Sequence, residues 1–217
     1  MNDKQPRILI MAGGTGGHVF PALAVANKLR AQGVDIAWLG TERGLEARVV
    51  PAADIPLHTI PISGLRGNGA LGWLLAPFRI SYAIMVAMGI VHKLKPGAVL
   101  GMGGFVTGPG GIASWLLRRP LLVHEQNAIA GMTNKLLARF AGTVMEAFPS
   151  AFSDRFSPIQ TGNPVREDIS ALDSPEQRFA NRSGAIRVLV IGGSLGAQAL
   201  NQSVPAAIER LETQNRP

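Results

Sequence analysis

The stretch Arg7-Ile8-Leu9-Ile10-Met11-Ala12-Gly13-Gly14-Thr15-Gly16-Gly17-His18 decides the fold. A short apolar run enters a loop of four glycines, and a helical pattern starts just after His18. Strand, glycine loop, helix is how an α/β protein presents converging backbone N–H groups to phosphate at a helix N-terminus. The same order recurs at Ala98-Val99-Leu100, which precedes Gly101-Met102-Gly103-Gly104-Phe105-Val106-Thr107-Gly108-Pro109-Gly110-Gly111. It recurs again at 187–191, before Gly192-Gly193-Ser194-Leu195-Gly196-Ala197. Three such loops imply more than one phosphorylated ligand.

Outward from these loops, apolar runs at 7–11, 36–39, 57–60, 98–100, 121–123 and 143–145 read as strands. They alternate with helical stretches at 19–32, 45–50, 71–94, 110–117 and 133–140. Strands that are apolar without alternation are covered on both faces, so the pattern predicts a parallel sheet in a Rossmann-like α/β domain. After Phe148-Pro149 the chain becomes rich in serine and proline, and Gly162-Asn163-Pro164-Val165-Arg166 reads as a turn joining two domains. The expected division is 1–160 and 161–217. The second segment holds a helix at 175–181, a strand at 187–191, the third loop and a helix at 197–212. A single βα unit cannot bury its own apolar face, so this segment reads as an incomplete domain.

Composition narrows the chemistry. With 217 residues, 47% hydrophobic and 16% charged, the chain can bury a sizeable core. The absence of cysteine excludes disulfides, thiolate metal sites and a cysteine nucleophile. His18, His58, His92 and His124 lack metal-ligand spacing and no Asp-x-Asp occurs, so no metal and no cofactor is expected. The loops are not dinucleotide fingerprints, since Val19 and Val106 stand where the third glycine belongs, and none ends as a Walker A sequence. The polar start, Met1 to Arg7, lacks the layout of a secretory signal, and the chain reads as cytoplasmic.

The net charge of +7 is concentrated in residues 61–140, where eight basic residues face one acid, Glu125. Such a local excess points to an anionic partner. The same segment holds an apolar run, 70–91, in which Arg79 is the one charge. Its length would span a bilayer. Pro77, Ser81 and Tyr82 argue against a span, and Arg79 mid-membrane costs about 2.5–3.5 kcal/mol. Trp73, Phe78 and Tyr82 beside basic residues suit an interfacial surface instead, with an ordinary core helix as the plainer reading. The segment has few aromatics and matches no nucleic-acid module, so nucleic acid is not expected.

Two polar clusters stand at positions suited to chemistry. His18 falls at the start of a helix, whose N-terminus disfavours imidazolium and keeps the ring able to accept a proton. General base is one reading of it; a ring bonded to a loop carbonyl is the other. His124-Glu125-Gln126-Asn127 emerges at the C-terminal end of a strand, where open α/β sheets bind ligands. His58 and His92 read as structural.

Together, Gly13-Gly14-Thr15-Gly16-Gly17-His18, the glycines from Gly101 to Gly111, His124-Glu125-Gln126-Asn127, Gly162-Asn163-Pro164-Val165-Arg166 and Gly192-Gly193-Ser194 resemble the MurG family of bacterial cell-wall glycosyltransferases. The resemblance runs from Arg7 to about Val204. It implies a GT-B fold, with two Rossmann-like domains facing a cleft, the acceptor on the N-terminal one and the nucleotide-sugar on the C-terminal one. It implies transfer of N-acetylglucosamine, with inversion and without metal, from UDP-N-acetylglucosamine to the 4-hydroxyl of undecaprenyl-pyrophosphoryl-N-acetylmuramyl-pentapeptide in peptidoglycan synthesis.

By that match His18 is the candidate base, with Glu125 able to share or take the role. Thr15, Gly16, Gly17, Asn127, Arg166 and Ser194 would contact the donor. Gly13, Gly14, Gly103, Gly104, Gln126 and Asn134 would hold the acceptor diphosphate. Trp73, Leu74, Phe78, Arg79, Tyr82 and Trp115 would rest on the anionic inner leaflet, making the protein peripheral on the cytoplasmic face of the plasma membrane. The match also implies that most of the C-terminal domain lies beyond Pro217, so the chain alone is expected to fold poorly past Asn163 and to be inactive. Two other readings stay open: a membrane-bound lipid-diphosphate-binding module without chemistry, and a GT-B-like UDP-sugar 2-epimerase, against which the apolar basic surface counts.

Overall fold

Every described strand pair is made through a crossover rather than a hairpin, so the sheet is parallel throughout. The structure, a computed structural model, describes residues 6–63, 69–193 and 197–211, with the side chains of 69–73 outside that description. The chain separates into two units, Met1–Ser170 and Ala171–Pro217.

In the first unit β1 (Arg7–Met11) leads through α1 (Gly16–Ala31) to β2 (Asp35–Gly40). Then come α2 (Glu46–Val49), a 3-10 turn at Pro51–Ala53, β3 (Leu57–Thr59), α3 (Gly69–Leu94), β4 (Ala98–Gly101) and α4 (Thr107–Leu116). They are followed by β5 (Leu121–Glu125), α5 (Met132–Leu137), β6 (Thr143–Glu146), a second 3-10 turn at Asp154–Phe156, β7 (Ile159–Gln160) and α6 (Glu167–Ser170). The sheet order is β3-β2-β1-β4-β5-β6-β7. It reverses between β1 and β4, whose registers match Leu9 to Val99 and Met11 to Gly101.

Alternation along β1 divides the core. Leu9 and Met11 join one cluster with Ala83, Ala87 and Val91 of α3, while Ile10 and Ala12 join another with Val19, Ala22 and Ala26 of α1. Small residues at helical spacing let both helices lie close on the sheet. Trp38 of β2, fully buried, donates its indole N–H to the Ala12 carbonyl at 2.9 Å, which satisfies its one polar atom.

Three local assignments differ from the sequence expectation. The helix expected from residue 110 starts three residues earlier: α4 begins at Thr107, and a Cβ on Gly110 would stand 2.4 Å from the Met11 sulfur. One on Gly111 would stand 2.7 Å from Leu137. These glycines cost about 1 kcal/mol each relative to alanine in a helix, and close packing on β1 and α5 offsets that cost. At the far edge, Ile159 and Gln160, read as connector, pair with Met145 and Glu146 as β7. Two residues are too few to leave a periodic signal.

The third difference lies in the second unit, built from α7 (Pro175–Phe179) and α8 (Ala197–Glu209). Ser174 and Gln177 form a capping box at α7, and Arg182 lies 4.3 Å over the Phe179 ring. Residues 187–191, expected as a strand, are not in one. No second strand is described in this unit to pair with them, and a strand exists only through its ladder. Among the unit's described residues none is buried.

The 21-residue span Leu74–Leu94 of α3, of mean hydropathy 1.8, is long and apolar enough to cross a membrane. Ala76, Ala83, Ala87 and Val91 are nonetheless buried on one face. Leu74, Phe78, Tyr82 and Met85 form an exposed stripe on the opposite face, at spacings of four, four and three residues.

Candidate active site

The first two glycine loops leave the C-terminal ends of the paired strands β1 and β4, where the sheet order reverses and open α/β sheets form their crevice. The loops pack backbone on backbone. The Gly13 N–H donates to the Gly103 carbonyl at 3.3 Å. The Thr107 hydroxyl, 2.8 Å from that carbonyl and 3.2 Å from the Met11 carbonyl, ties α4 to both. Gly103 and Gly104 hold positive φ angles of 104° and 88°, and a Cβ on Gly103 would strike the His18 ring at 2.6 Å.

Beneath the first loop lies Glu46 of α2, fully buried. Its Oε2 accepts the Gly14 N–H at 3.0 Å, and its Oε1 accepts the Thr41 N–H at 3.0 Å and hydroxyl at 2.7 Å. The N–H groups of Gly13 and Gly14, expected to face a diphosphate, are thus engaged inside the protein, and these two glycines shape the loop. Gly16 and Gly17 open α1, where N–H groups have no partner within the helix. Gly103 and Gly104 donate no hydrogen bond among the described residues. Sequence reasoning missed Glu46, which reads as a solvated helix residue. Its one signal is the pair Gly40 and Gly44, where any Cβ would collide with the Glu46 side chain.

At the end of β5 a second buried carboxylate organises the polar cluster. Glu125 Oε1 accepts the Asn127 N–H at 3.0 Å and side-chain amide at 2.8 Å. Its Oε2 accepts the Gly131 N–H and the Asn134 amide, each at 3.0 Å. Burial alone would raise its pKa, but these four donors outweigh it and hold the carboxyl below the ordinary range. Such a carboxylate is an ionised anchor with its lone pairs engaged. Asn134 directs both amide hydrogens to Glu125 and the His124 carbonyl, while its own Oδ1 is buried without a partner. Its amide hydrogens, expected to face a diphosphate, are thus engaged inside the protein. A third buried carboxylate, Glu146 of β6, accepts the N–H groups of Ser150 and Phe152.

His18, in the first turn of α1, is half-buried and bonded to a side chain rather than a loop carbonyl: its Nδ1 stands 2.8 Å from Gln126 Oε1. Gln126 Nε2 stands 2.9 Å from His124 Nδ1 and 3.0 Å from the His124 carbonyl, so its hydrogens too are engaged. His124 Nε2 meets the Gly162 carbonyl at 3.1 Å, and Asn163 donates to the Gln126 carbonyl at 3.0 Å. Burial pushes the His124 ring below its ordinary pKa; the Gly162 bond and the Glu125 charge oppose this more weakly.

Of the other candidates, Thr15 precedes α1 in extended conformation, Asn127 is exposed, and Arg166 is exposed and paired with Asp168 at 3.0 Å. Ser194 and the Trp73 side chain lie outside the described residues. Leu74, Phe78, Arg79 and Tyr82 are exposed on α3. Trp115 is half-exposed on α4, its ring 4.8 Å from that of Phe140.

Residues 8–146 match the family model described as the glycosyltransferase family 28 N-terminal domain. The chain is 57% identical over 216 residues to the UDP-N-acetylglucosamine--N-acetylmuramyl-(pentapeptide) pyrophosphoryl-undecaprenol N-acetylglucosamine transferase of Marinobacter nauticus, covering 100% of this chain and 60% of that protein. It is 57% identical over 210 residues to the protein of the same name from Alkalilimnicola ehrlichii, covering 97% and 58%. Among solved structures it is similar to Acinetobacter baumannii MurG, with a TM-score of 0.77 and 44% identity over 95% of this chain and 58% of that one. The chain thus spans about 60% of the length of the curated relatives it matches. The family match covers well over half of the chain and takes in both glycine loops, His18 and the Glu125 cluster, so the chain belongs to glycosyltransferase family 28.

Proposed function

We propose that this chain is the acceptor-binding half, residues 1–160, and the start of the nucleotide-sugar half, residues 161–217, of an inverting N-acetylglucosaminyltransferase. Its reaction moves N-acetylglucosamine from UDP-N-acetylglucosamine to the 4-hydroxyl of undecaprenyl-pyrophosphoryl-N-acetylmuramyl-pentapeptide. The observation that carries this reading is the meeting of both glycine loops with His18 at the reversal of the sheet, in a chain 57% identical to relatives of that name.

In the reaction His18 removes the proton of the muramyl 4-hydroxyl as that oxygen bonds the anomeric carbon. The bond from that carbon to the UDP diphosphate breaks on the opposite face, and the departing charge is met by Arg166 and helix N-termini without metal. Gly103 and Gly104 offer N–H groups to the acceptor diphosphate; Thr15, Gly16, Gly17, Asn127 and Ser194 serve the donor. Gln126, Asn134 and Glu125 hold the site's shape. The α3 stripe of Leu74, Phe78 and Tyr82, flanked by Arg79, with Trp115, rests on the anionic inner leaflet, which makes the protein peripheral on its cytoplasmic face.

Calorimetry with a water-soluble muramyl-pyrophosphoryl-lipid analogue tests the reading, with UDP-N-acetylglucosamine as the comparison ligand. Saturable acceptor binding that Gly104→Asp weakens supports it. No acceptor binding by a chain whose circular dichroism is native overturns it.

A further inference from the structure

The hydrogen bonds around His18 can run in one direction only. The Gly162 carbonyl accepts and cannot donate, so the His124 nitrogen facing it at 3.1 Å, Nε2, carries the proton. In a neutral ring Nδ1 is then an acceptor, and the burial of His124 favours the neutral ring. Gln126 Nε2 faces two acceptors, that Nδ1 and the His124 carbonyl, which fixes the orientation of its amide and turns Oε1 to His18. Oε1 can only accept, so His18 Nδ1 at 2.8 Å carries a proton. What remains on a neutral His18 is a lone pair on Nε2.

We infer that Gly162, His124 and Gln126 form a relay that holds His18 as its Nδ1–H tautomer with Nε2 open to receive a proton, making His124 and Gln126 positioning residues for transfer. The inference rests on the proposed reading of His18 as the base. A neutral histidine in water favours the Nε2–H form, so the relay reverses the default. Its far end is the turn after β7, where Gly162 takes a positive φ of 74° and Asn163 clamps the Gln126 carbonyl. The orientation of the base is thereby tied to the segment leading out of the first unit.

Long-range proton–nitrogen NMR of the chain labelled with 15N-histidine tests this, with His18 assigned by its loss in His18→Gln. The expected result is Nδ1–H for His18 and Nε2–H for His124. Gln126→Leu returns His18 to the Nε2–H form, while Gln126→Glu, which keeps an oxygen opposite Nδ1, retains Nδ1–H. A wild-type His18 in the Nε2–H form, or a tautomer unmoved by Gln126→Leu, overturns the relay. Should Gln126→Leu not fold, the wild-type and Gln126→Glu spectra decide. In the full-length enzyme Gln126→Leu lowers kcat by about 10- to 100-fold at nearly constant KM, less than the ~10²–10⁴ of losing a general base. Full transfer by full-length His18→Gln overturns the base reading instead and leaves the measured tautomers as they are.

Discussion

Gly104 lies so close over Gly13 that a Cβ added to it would stand 2.2 Å from the Gly13 carbonyl oxygen. Gly14, at nearly the same φ of 89° against 88°, has open space around its missing Cβ. Gly14→Ala therefore incurs left-handed strain alone, about 1–2 kcal/mol. Gly104→Ala incurs the same strain and must also push the Gly13 and Gly104 backbones apart, for a loss of about 3 kcal/mol or more. Urea unfolding of the two variants gives the comparison, and acceptor binding falls with Gly104→Ala first.

Glu125 is the anchor of the β5 cluster, and removing it leaves four N–H donors without their acceptor. At about 1 kcal/mol or more for each, Glu125→Ala costs about 3–5 kcal/mol. The pH dependence has a definite sign. The folded carboxyl titrates below its ordinary 4.5, so its contribution is complete above that pH and is lost as pH falls from 4.5 through the folded value. Thermal melts between pH 7 and 3 show this acid loss in the wild type and a shallower one in Glu125→Gln.

His124 acts in a higher window. Its folded pKa lies below the ordinary 6.5, so the unfolded ring binds a proton first. Stability from this group is complete above pH 6.5, falls as pH drops below it and levels off beneath the folded value. His58, lowered by burial and by the nearby Lys93 and Arg7 charges, adds to the same slope. Urea midpoints from pH 8 to 5 fall in the wild type and fall less in His124→Gln.

On α3, Leu74 and Phe78 are 70% and 74% exposed, so they add little to the core, and the proposed membrane contact is tested on this stripe. Phe78→Glu with Tyr82→Glu leaves the melting temperature within the range of ordinary surface changes, about 0.5 kcal/mol for each. The same pair lowers co-sedimentation with anionic vesicles by at least about tenfold, since burying one aromatic side chain is worth roughly 1.5–3 kcal/mol. Unchanged sedimentation would remove α3 from the membrane surface.

The strand, loop and helix beginning at Arg7 were legible because apolar runs, glycines and helical spacing each report locally. Six of the seven described strands carry such a signal; β7 does not, because an edge pair of two residues is made by the neighbouring strand. Gly108, with its neighbours Thr107 and Pro109, misled in the other direction. Glycine argues locally against helix, and the close seat of α4 on Met11 and Leu137 overrides that preference. In the site, residue types at the ends of β1 and β5 were readable, but the partner of each atom was not. The bond between His18 and Gln126 joins positions 108 residues apart, and no local pattern encodes it. Glu46 went unnoticed for the same reason, since its partners depend on how α2 folds back under Gly14.

Residues 187–191 carry a practical consequence for anyone handling this chain. Val188, Leu189, Val190 and Ile191 are 63%, 82%, 44% and 78% exposed, on a backbone outside any sheet ladder. A β-branched, uncharged run in that condition is a template for intermolecular strand addition. For this 217-residue chain a single charge there, as in Leu189→Lys, is expected to raise the concentration at which light scattering begins.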